Sequence, residues 1–267
     1  MADSLDLPQG EYFNSRAQRQ EQIADYVLQQ SFVRVQELAD LFNVSLMTVH
    51  RDLDELETQG ILRKVRGGAT VLPSSLFESD VRYRLNTALK EKEAIAEVAL
   101  SCVEPGQAVL LDASTTILAL SRRLPRMIPL TVITNCLTII QELSKVKGID
   151  LISLGGEFFP HHDAFAGIIC EQAIGALHAN VLFMSGSAVS NCVIYHQEQE
   201  IVKVKRAMLA SASKRILLLD HSKFGKVALH RLAHLREFDL VIVDSGVDEA
   251  QLNELYEAQI PVKVVPL

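Results

Sequence analysis

The sequence predicts an α/β protein of two domains, a small N-terminal domain that is mostly helical and a larger domain with a largely parallel sheet. Two observations lead to this prediction. Residues 15–72 contain three stretches with helical spacing of apolar side chains, followed by a glycine hairpin. After residue 105, short apolar runs alternate with helical stretches, which is typical of a parallel sheet covered by helices. A chain of 267 residues has room for both domains.

The composition is that of a globular protein with a substantial core, because 48 % of the residues are apolar and 22 % are charged. No apolar run approaches the roughly 18 residues that a membrane helix needs. The N-terminal segment lacks the basic start and apolar stretch of a signal peptide. The four cysteines are widely spaced in apolar segments, as reduced cysteines are. We therefore expect a cytoplasmic protein without a membrane partner.

The three periodic stretches at the N-terminus predict a helix-turn-helix preceded by one further helix. Residues 15–30 form the first stretch, and VRVQELADLFNV, which begins at Val33, forms the second. The third, LMTVHRDLDELETQG, has Ser45 before it as an N-cap and Gly60 at its end as a stop signal. Two short amphipathic helices joined by a tight turn are the DNA-reading unit of many regulators.

The polar face of the third helix and the hairpin after it carry the candidate DNA contacts. Short hydroxyls near a helix start suit phosphates, and longer donors one turn on suit base edges. The segment ILRKVRGGATVL then predicts two strands around Gly67-Gly68, whose basic side chains would reach the DNA backbone. The candidate residues are Ser45, Thr48, His50 and Arg51 in the helix and Arg63, Lys64 and Arg66 in the hairpin.

The charge pattern is compatible with a protein that reads specific DNA. A net charge of −7 disfavours a protein that binds nucleic acid nonspecifically, because such a protein would be strongly basic. A protein that binds a specific DNA sequence needs only a positive docking face. Residues 58–77 hold three basic residues and no acidic one. Acidic residues follow Arg51 closely, but helical spacing turns Asp52 and Glu55 away from the helix face on which Arg51 lies.

The segment ELADLFNVSLMTVHRDLDELETQGILRKVRGGA resembles, almost position by position, the DNA-binding module of DeoR-family regulators. In that family a helix, a Val-Ser turn, a Thr-Val-x-Arg-Asp-Leu recognition helix and a glycine-rich wing follow one another in this order. The resemblance implies that residues 15–72 are a winged helix-turn-helix that binds double-stranded operator DNA. It places the helix candidates in or beside the major groove and the hairpin candidates near phosphates. It makes Asp52 a structural partner within the module, for instance of Arg51.

The second domain begins after a linker. Pro73-Ser74-Ser75 ends the hairpin and residues 73–86 show no clear period, so we assign 73–86 to the linker and 87–267 to the second domain. Residues 87–103 predict an amphipathic helix. Seven apolar runs then predict strands of a Rossmann-like, largely parallel sheet, namely 108–112, 130–134, 150–154, 181–185, 215–220, 239–244 and 262–266.

Polar residues follow five of these strands, where ligands bind in parallel sheets. Hydroxyls at a helix start, glycines that expose N–H groups and a lysine are suited to a phosphate, and an asparagine and carboxylates are suited to sugar hydroxyls. Each of these motifs, taken alone, also has a purely structural explanation: a helix cap, a turn of the chain or a solvent-exposed lysine. The candidate effector-binding residues are Asp112, Ser114, Thr115, Thr116, Asn135, Gly155, Gly156, Glu157 and Lys223, beside a Ser185-Gly186-Ser187 loop.

The order DASTT, ITN, LGGE and D-x-S-K-F-G is similar to the C-terminal sensor domain of DeoR-type regulators. That domain is related in fold to sugar-phosphate isomerases and deaminases. The resemblance implies that a phosphorylated sugar or related metabolite binds here as the effector, with no cofactor. It also implies repression that the ligand relieves. We expect a homodimer or homotetramer, because two-fold DNA sites and the affinity required favour paired DNA-binding modules. The chain departs from the family at Asn180 and at 187–191, which bears on the sugar that is recognised.

Three other interpretations remain open at this stage. An isomerase or deaminase on the same scaffold would need a carboxylate as general base, with Glu157, Asp163, Glu198 and Glu200 as candidates and with histidines 161, 162 and 196 to assist. A regulator whose second domain only mediates assembly is a further alternative. A zinc site at His161-His162-Asp163 is disfavoured, because adjacent residues seldom face one ion, and we expect a surface loop there.

Overall fold

The computed structural model describes residues 16–30, 32–58, 62–70 and 81–267. The chain divides into two compact units between Phe77 and Glu78, within the segment that the sequence assigns to the linker. Gly60 and residues 71–80 of the hairpin end and linker lie outside the described residues.

The first unit is a winged helix-turn-helix. Its sheet has the antiparallel order β1-β3-β2, and its core contains the fully buried Ile23, Leu38, Leu53 and Leu62. The described elements are α1 (Arg16–Gln30), β1 (Phe32–Arg34), α2 (Val35–Phe42), α3 (Leu46–Thr58), β2 (Arg63–Val65) and β3 (Gly68–Thr70).

Local chemistry fixes the turn between α2 and α3. Asn43 ends α2 in the left-handed conformation, with a φ of 50°. Ser45 Oγ then accepts a hydrogen bond from the Thr48 N–H at 3.1 Å, so Ser45 caps α3 as predicted. The end of α2 and the start of α3 therefore lie where the predicted turn places them.

The wing contains a strand that the sequence analysis missed. Residues 32–34, interpreted as a break and a helix start, pair with β3 as β1. The pairing explains why residue 68 is a glycine, because a Cβ there would lie 2.3 Å from the Val33 carbonyl oxygen. Gly67 forms the turn with a φ of +84°. This strand depends on a partner more than thirty residues along the chain, so local periodicity carries no sign of it.

Asp52 is the structural residue that the sequence predicts, but its partners come from α1 and not from Arg51. The carboxylate is 1 % exposed and accepts hydrogen bonds from Arg19 Nε at 2.7 Å and from Gln20 Nε2 at 3.0 Å. Glu55, one turn on, contacts Arg16 and Gln20. Both carboxylates thus face α1 and are turned away from the exposed Arg51, as helical spacing predicts.

The second unit is built on a seven-stranded sheet, in which every pairing is parallel and the order is β15-β14-β12-β9-β4-β5-β6. Each of the seven predicted runs forms one of these strands. The strands of this unit are β4 (Ala108–Leu111), β5 (Leu130–Thr134), β6 (Ile149–Ser153), β7 (Glu157–Phe159), β8 (Ala164–Ala166), β9 (Ala179–Met184), β10 (Ala188–Ser190), β11 (Val193–His196), β12 (Ala212–Leu219), β13 (His230–His234), β14 (Leu240–Asp244) and β15 (Val262–Val265).

Helices cover both faces of this sheet. Val109 and Leu111 of β4 pack into the core under one face, while Leu110 between them belongs to the core under the other. Burial on both faces is the reason that the strands read as continuous apolar runs. The helices are α4 (Val81–Asn86), α5 (Leu89–Leu100), α6 (Thr115–Ser121), α7 (Leu137–Leu143), α8 (Ile168–Gly175), α9 (Gln199–Ala210) and α10 (Glu249–Glu257).

Three parts of this unit differ from the sequence-based description. Residues 81–86, assigned to the linker, form helix α4, which is too short to show a period and is held by packing against α6 and residues 160–162. A hairpin of β7 and β8 and a small sheet of order β10-β11-β13 were not predicted. Among the described residues, no helix is both long and apolar enough to cross a membrane.

Replacing Asp52 by alanine is expected to destabilise the first unit by about 3 kcal/mol, because Arg19 and Gln20 lose a buried charged partner. Asp54→Ala is the matched control, since Asp54 is 62 % exposed and a surface ion pair contributes less than about 1 kcal/mol. Urea unfolding followed by amide exchange in α3 peptides measures both values. Equal stability of the two variants would contradict the structural role of Asp52.

Candidate DNA interface and effector cleft

The start of α3 presents the candidate DNA contacts to solvent. Ser45, His50 and Arg51 are exposed, and Thr48 is half-buried beside Ser45, with their hydroxyl oxygens 2.9 Å apart. The exposed face also includes two apolar side chains that the sequence analysis did not select, Leu46 and Met47, of which Met47 is 65 % exposed. Apolar groups at such positions are suited to the methyl group of thymine.

The wing adds cations and compensates the acidic end of α3. Arg63 and Arg66 are exposed, whereas Lys64 forms an ion pair with Asp54 and its backbone N–H donates to Glu57 at 2.8 Å. Lys64 therefore reduces the repulsion that these carboxylates would exert on a phosphate backbone, and Arg63 and Arg66 remain as the exposed cations.

In the second unit, a cleft opens at the carboxyl ends of the central strands. The strand order reverses between β4 and β9, because β5 and β6 follow on one side and β12, β14 and β15 on the other. Ligands of open α/β sheets bind in the crevice at such a switch point. The larger compartment of the cleft has about 330 Å³ of empty space, part of it open to solvent, and is lined by Arg84, Ala113, Ser114, Thr115, Thr116, Ser185, Gly186, Ser187, His196, Lys205 and Lys223.

A smaller compartment of about 220 Å³ lies beside it and shares two of its lining residues, Ala113 and Lys205. It also contains Asp112 and Asn135. The Oδ1 atoms of both side chains are buried and accept no hydrogen bond from the described residues. Buried acceptors normally have a partner, so these two oxygens are suited to the hydroxyl groups of a bound molecule.

A buried ion pair separates the two compartments. Lys205 Nζ donates to Asp112 Oδ2 and, at 3.0 Å, to the Ser185 carbonyl oxygen. Asp112 Oδ2 also accepts the Ser185 N–H at 3.0 Å. Asp112 follows β4, Ser185 follows β9 and Lys205 belongs to α9, so one carboxylate joins three elements around the cleft.

A buried, neutral histidine, His196, lies beside this ion pair in the lining of the larger compartment. The rings of His196 and His162 lie 5.2 Å apart, and both side chains are buried. Burial lowers the pKa of His196 well below its ordinary value of 6.5, and the charges of Lys205 and Arg84 lower it further. His196 Nδ1 accepts the Glu198 N–H at 3.1 Å, so in the neutral ring Nε2 carries the proton. The burial of His162 corrects the expectation that residues 161–163 form a surface loop.

Most of the candidate effector residues meet in this cleft. Ser114, Thr115, Thr116 and Lys223 line the larger compartment, and Asp112 and Asn135 line the smaller one. Ser114 also caps α6, since its Oγ accepts the Ile117 N–H at 3.4 Å.

The loop after β6 lines neither compartment. β6 is the edge strand, and the chain leaves it directly into the β7–β8 hairpin, where Glu157 is exposed. Packing explains why residue 156 is a glycine, because a Cβ there would lie 2.3 Å from the Ala166 carbonyl oxygen. The effector-binding role of Gly155, Gly156 and Glu157 remains a prediction without a cleft to support it.

Sequence reasoning missed two cations of the cleft, Arg84 and Lys205. Arg84 stands in the segment assigned to the linker. The only signal for Lys205 is its spacing, since it follows Ile201 by four residues on the buried face of α9. Asp163, considered as a general base, instead caps α7, where its carboxylate accepts the Thr138 N–H at 3.0 Å.

Comparison with known proteins matches both units. Residues 19–75 match the DeoR-like helix-turn-helix domain, and residues 87–245 match the DeoR C-terminal sensor domain. The chain belongs to the DeoR family. Membership explains the order of the units and makes the chain a DNA-binding transcriptional regulator, and not an isomerase or deaminase.

DeoR-family relatives align with nearly the whole chain. The HTH-type transcriptional regulator YulB of Bacillus subtilis is 36 % identical over 94 % of this chain and 97 % of its own length. A putative aga operon transcriptional repressor of Escherichia coli is 31 % identical over 93 % and 94 %. The lactose phosphotransferase system repressor of Staphylococcus epidermidis is 31 % identical over 85 % and 92 %.

Among solved structures, ribose 5-phosphate isomerase A of Methanocaldococcus jannaschii is similar to the DeoR-family chain at 14 % identity. The likeness covers 50 % of this chain and 53 % of the isomerase, with a TM-score of 0.37. A likeness this distant has no bearing on function.

Arg51→Ala is expected to reduce the discrimination between operator and scrambled DNA by about 1–3 kcal/mol, because a base-reading donor is lost. Lys64→Ala is expected to weaken binding to both DNAs alike and to reduce the slope of affinity against salt concentration. Anisotropy titrations at several salt concentrations measure both effects. If each variant loses the same affinity on both DNAs, the assignment of a base-reading role to Arg51 is wrong.

Proposed function

We propose that this protein is a cytoplasmic repressor of carbohydrate-metabolism genes, and that a phosphorylated sugar bound in the cleft of the second unit modulates its affinity for operator DNA. The observation that carries the proposal is the cleft at the switch point between β4 and β9, where cations and hydroxyls surround one compartment and unsatisfied acceptors face the next.

The larger compartment has the chemistry of a phosphate site. Lys223 supplies a charge, and Ser114, Thr115 and Thr116 supply hydroxyls. A Cβ at Gly186 would lie 2.5 Å from Ile194 Cγ2, so no larger residue fits there without displacement.

The smaller compartment offers polar groups for hydroxyls among apolar side chains such as Ile201, Val204 and Met208. Asp112 Oδ1 and Asn135 Oδ1 provide two acceptors for hydroxyl groups. Its position beside the phosphate compartment favours a single small molecule that carries a phosphate at one end and hydroxyls along the rest.

The sugar as effector is also supported by what the relatives are named for, an aga operon and a lactose phosphotransferase system. We assign base contacts to Ser45, Thr48, His50 and Arg51, with Met47 beside them, and phosphate contacts to Arg63, Lys64 and Arg66. A homodimer or homotetramer follows from the two-fold symmetry of operator sites. Release from DNA on binding of the sugar phosphate is the direction we propose.

The proposal is tested by fluorescence-anisotropy titration of the chain on the DNA upstream of its gene, with scrambled DNA as control. Pentose and hexose phosphates are then added to the complex. We expect one of them to shift the DNA affinity by about 5- to 150-fold, the usual range of allosteric coupling. Lys223→Gln should weaken this response at least about ten-fold in sugar-phosphate concentration, since a charge-assisted hydrogen bond to phosphate is lost.

Lys226→Gln is the matched control, because it removes the same charge three residues further on, from an exposed position. It should respond as the unchanged chain does. Specific DNA binding that no sugar phosphate alters would contradict the effector and favour a second unit that only mediates assembly. Equal responses of Lys223→Gln and Lys226→Gln would contradict the site.

A further inference from the structure

Helix α4 occupies an unusual place in the chain. It is the first described element after the wing, from which residues 71–80 separate it. It nevertheless contributes Arg84 to the larger compartment, beside Lys223 and the Ser114–Thr116 hydroxyls. The first described element of the second unit therefore carries a cation into the effector cleft of that unit.

Packing holds α4 to elements that themselves form the cleft. It lies against α6, which begins at the cleft hydroxyls, and against residues 160–162, which include His162 of the smaller compartment. The ammonium of Lys92, in α5, is 4 % exposed and donates to the carbonyl oxygens of Arg84 and, at 2.6 Å, of Thr87. One buried cation thus fixes the end of α4 from which Arg84 projects.

Positive charges oppose one another around this end of α4. Burial lowers the pKa of Lys92 to about 8; Asp220 raises it, while Lys223 and Arg84 lower it. Arg84 and Lys223 are therefore close enough to disfavour a further cation. An anion between them would remove this repulsion and would bind best when α4 is in place.

We propose that binding of the effector phosphate is coupled to the packing of α4 on the second unit, with Arg84 as a ligand of the phosphate. The inference rests on the proposed function. A ligand shifts a conformational equilibrium only by its different affinity for the two states. The contact with Arg84 forms only when α4 is packed on the rest of the second unit, so phosphate binding stabilises this position of α4.

The test uses the full chain, with inorganic phosphate as the probe. Thermal stabilisation gives the phosphate affinity, and amide exchange measures the protection of residues 81–86 with and without phosphate. We expect phosphate to slow exchange in α4 of the unchanged chain. Arg84→Gln should weaken phosphate binding at least about ten-fold and abolish the added protection of α4 at saturating phosphate.

Two further variants separate coupling from binding alone. Lys90→Gln removes a positive charge from an exposed position of α5 and should behave as the unchanged chain does. Lys223→Gln should weaken phosphate binding as well, yet retain the protection of α4 once phosphate saturates the cleft, because Arg84 is still present.

If Arg84→Gln binds phosphate as tightly as Lys90→Gln does, the inference is wrong. The proposed function is not affected by that result. Unchanged exchange of α4 in the saturated, unmodified chain would do the same. If the unmodified chain shows no stabilisation by phosphate or by any pentose or hexose phosphate, the effector site and the coupling both fail.

Discussion

The buried pair of Asp112 and Lys205 is the interaction on which the organisation of the second unit depends. Asp112 stands at the end of β4, and its carboxylate bonds the backbone after β9 and the ammonium from α9. Removing one partner would leave an uncompensated charge in the core, which costs several kcal/mol. The pair therefore keeps the two central strands and one covering helix in a fixed relation, and the walls of both compartments follow from that relation.

The parallel sheet converts this local constraint into a binding site. Loops that follow β4, β5, β9 and β12 are far apart in sequence, but all leave the sheet at the same edge. The cations, hydroxyls and acceptors of the cleft come from these four loops and from α4 and α9. The N-terminal unit shows the same principle on a smaller scale, since Asp52 joins α3 to α1 and leaves Arg51 free to face solvent.

Much of this arrangement could be predicted, because strands buried on both faces are continuous apolar runs and their carboxyl ends define the ligand edge. The residues at 112–116, 135 and 223 follow from that rule. Arg84 and Lys205 could not be found in this way. Arg84 belongs to a six-residue helix with no readable period, and Lys205 is a lysine that only tertiary packing buries. The rule also selects the loop at 155–157, but this loop leaves the edge strand for a hairpin and does not line the cleft. The partners of Asp52 could not be predicted either, because they lie more than thirty residues away in the sequence.

The most direct test of the account is calorimetric titration of the active sugar phosphate into the free chain and into the chain saturated with operator DNA. Coupling between two sites is reciprocal, so the affinity for the sugar phosphate must change by the factor by which the sugar phosphate changes the affinity for DNA. We expect this equality, with weaker binding of the sugar phosphate to the DNA complex. The same sugar-phosphate affinity in both titrations would contradict it.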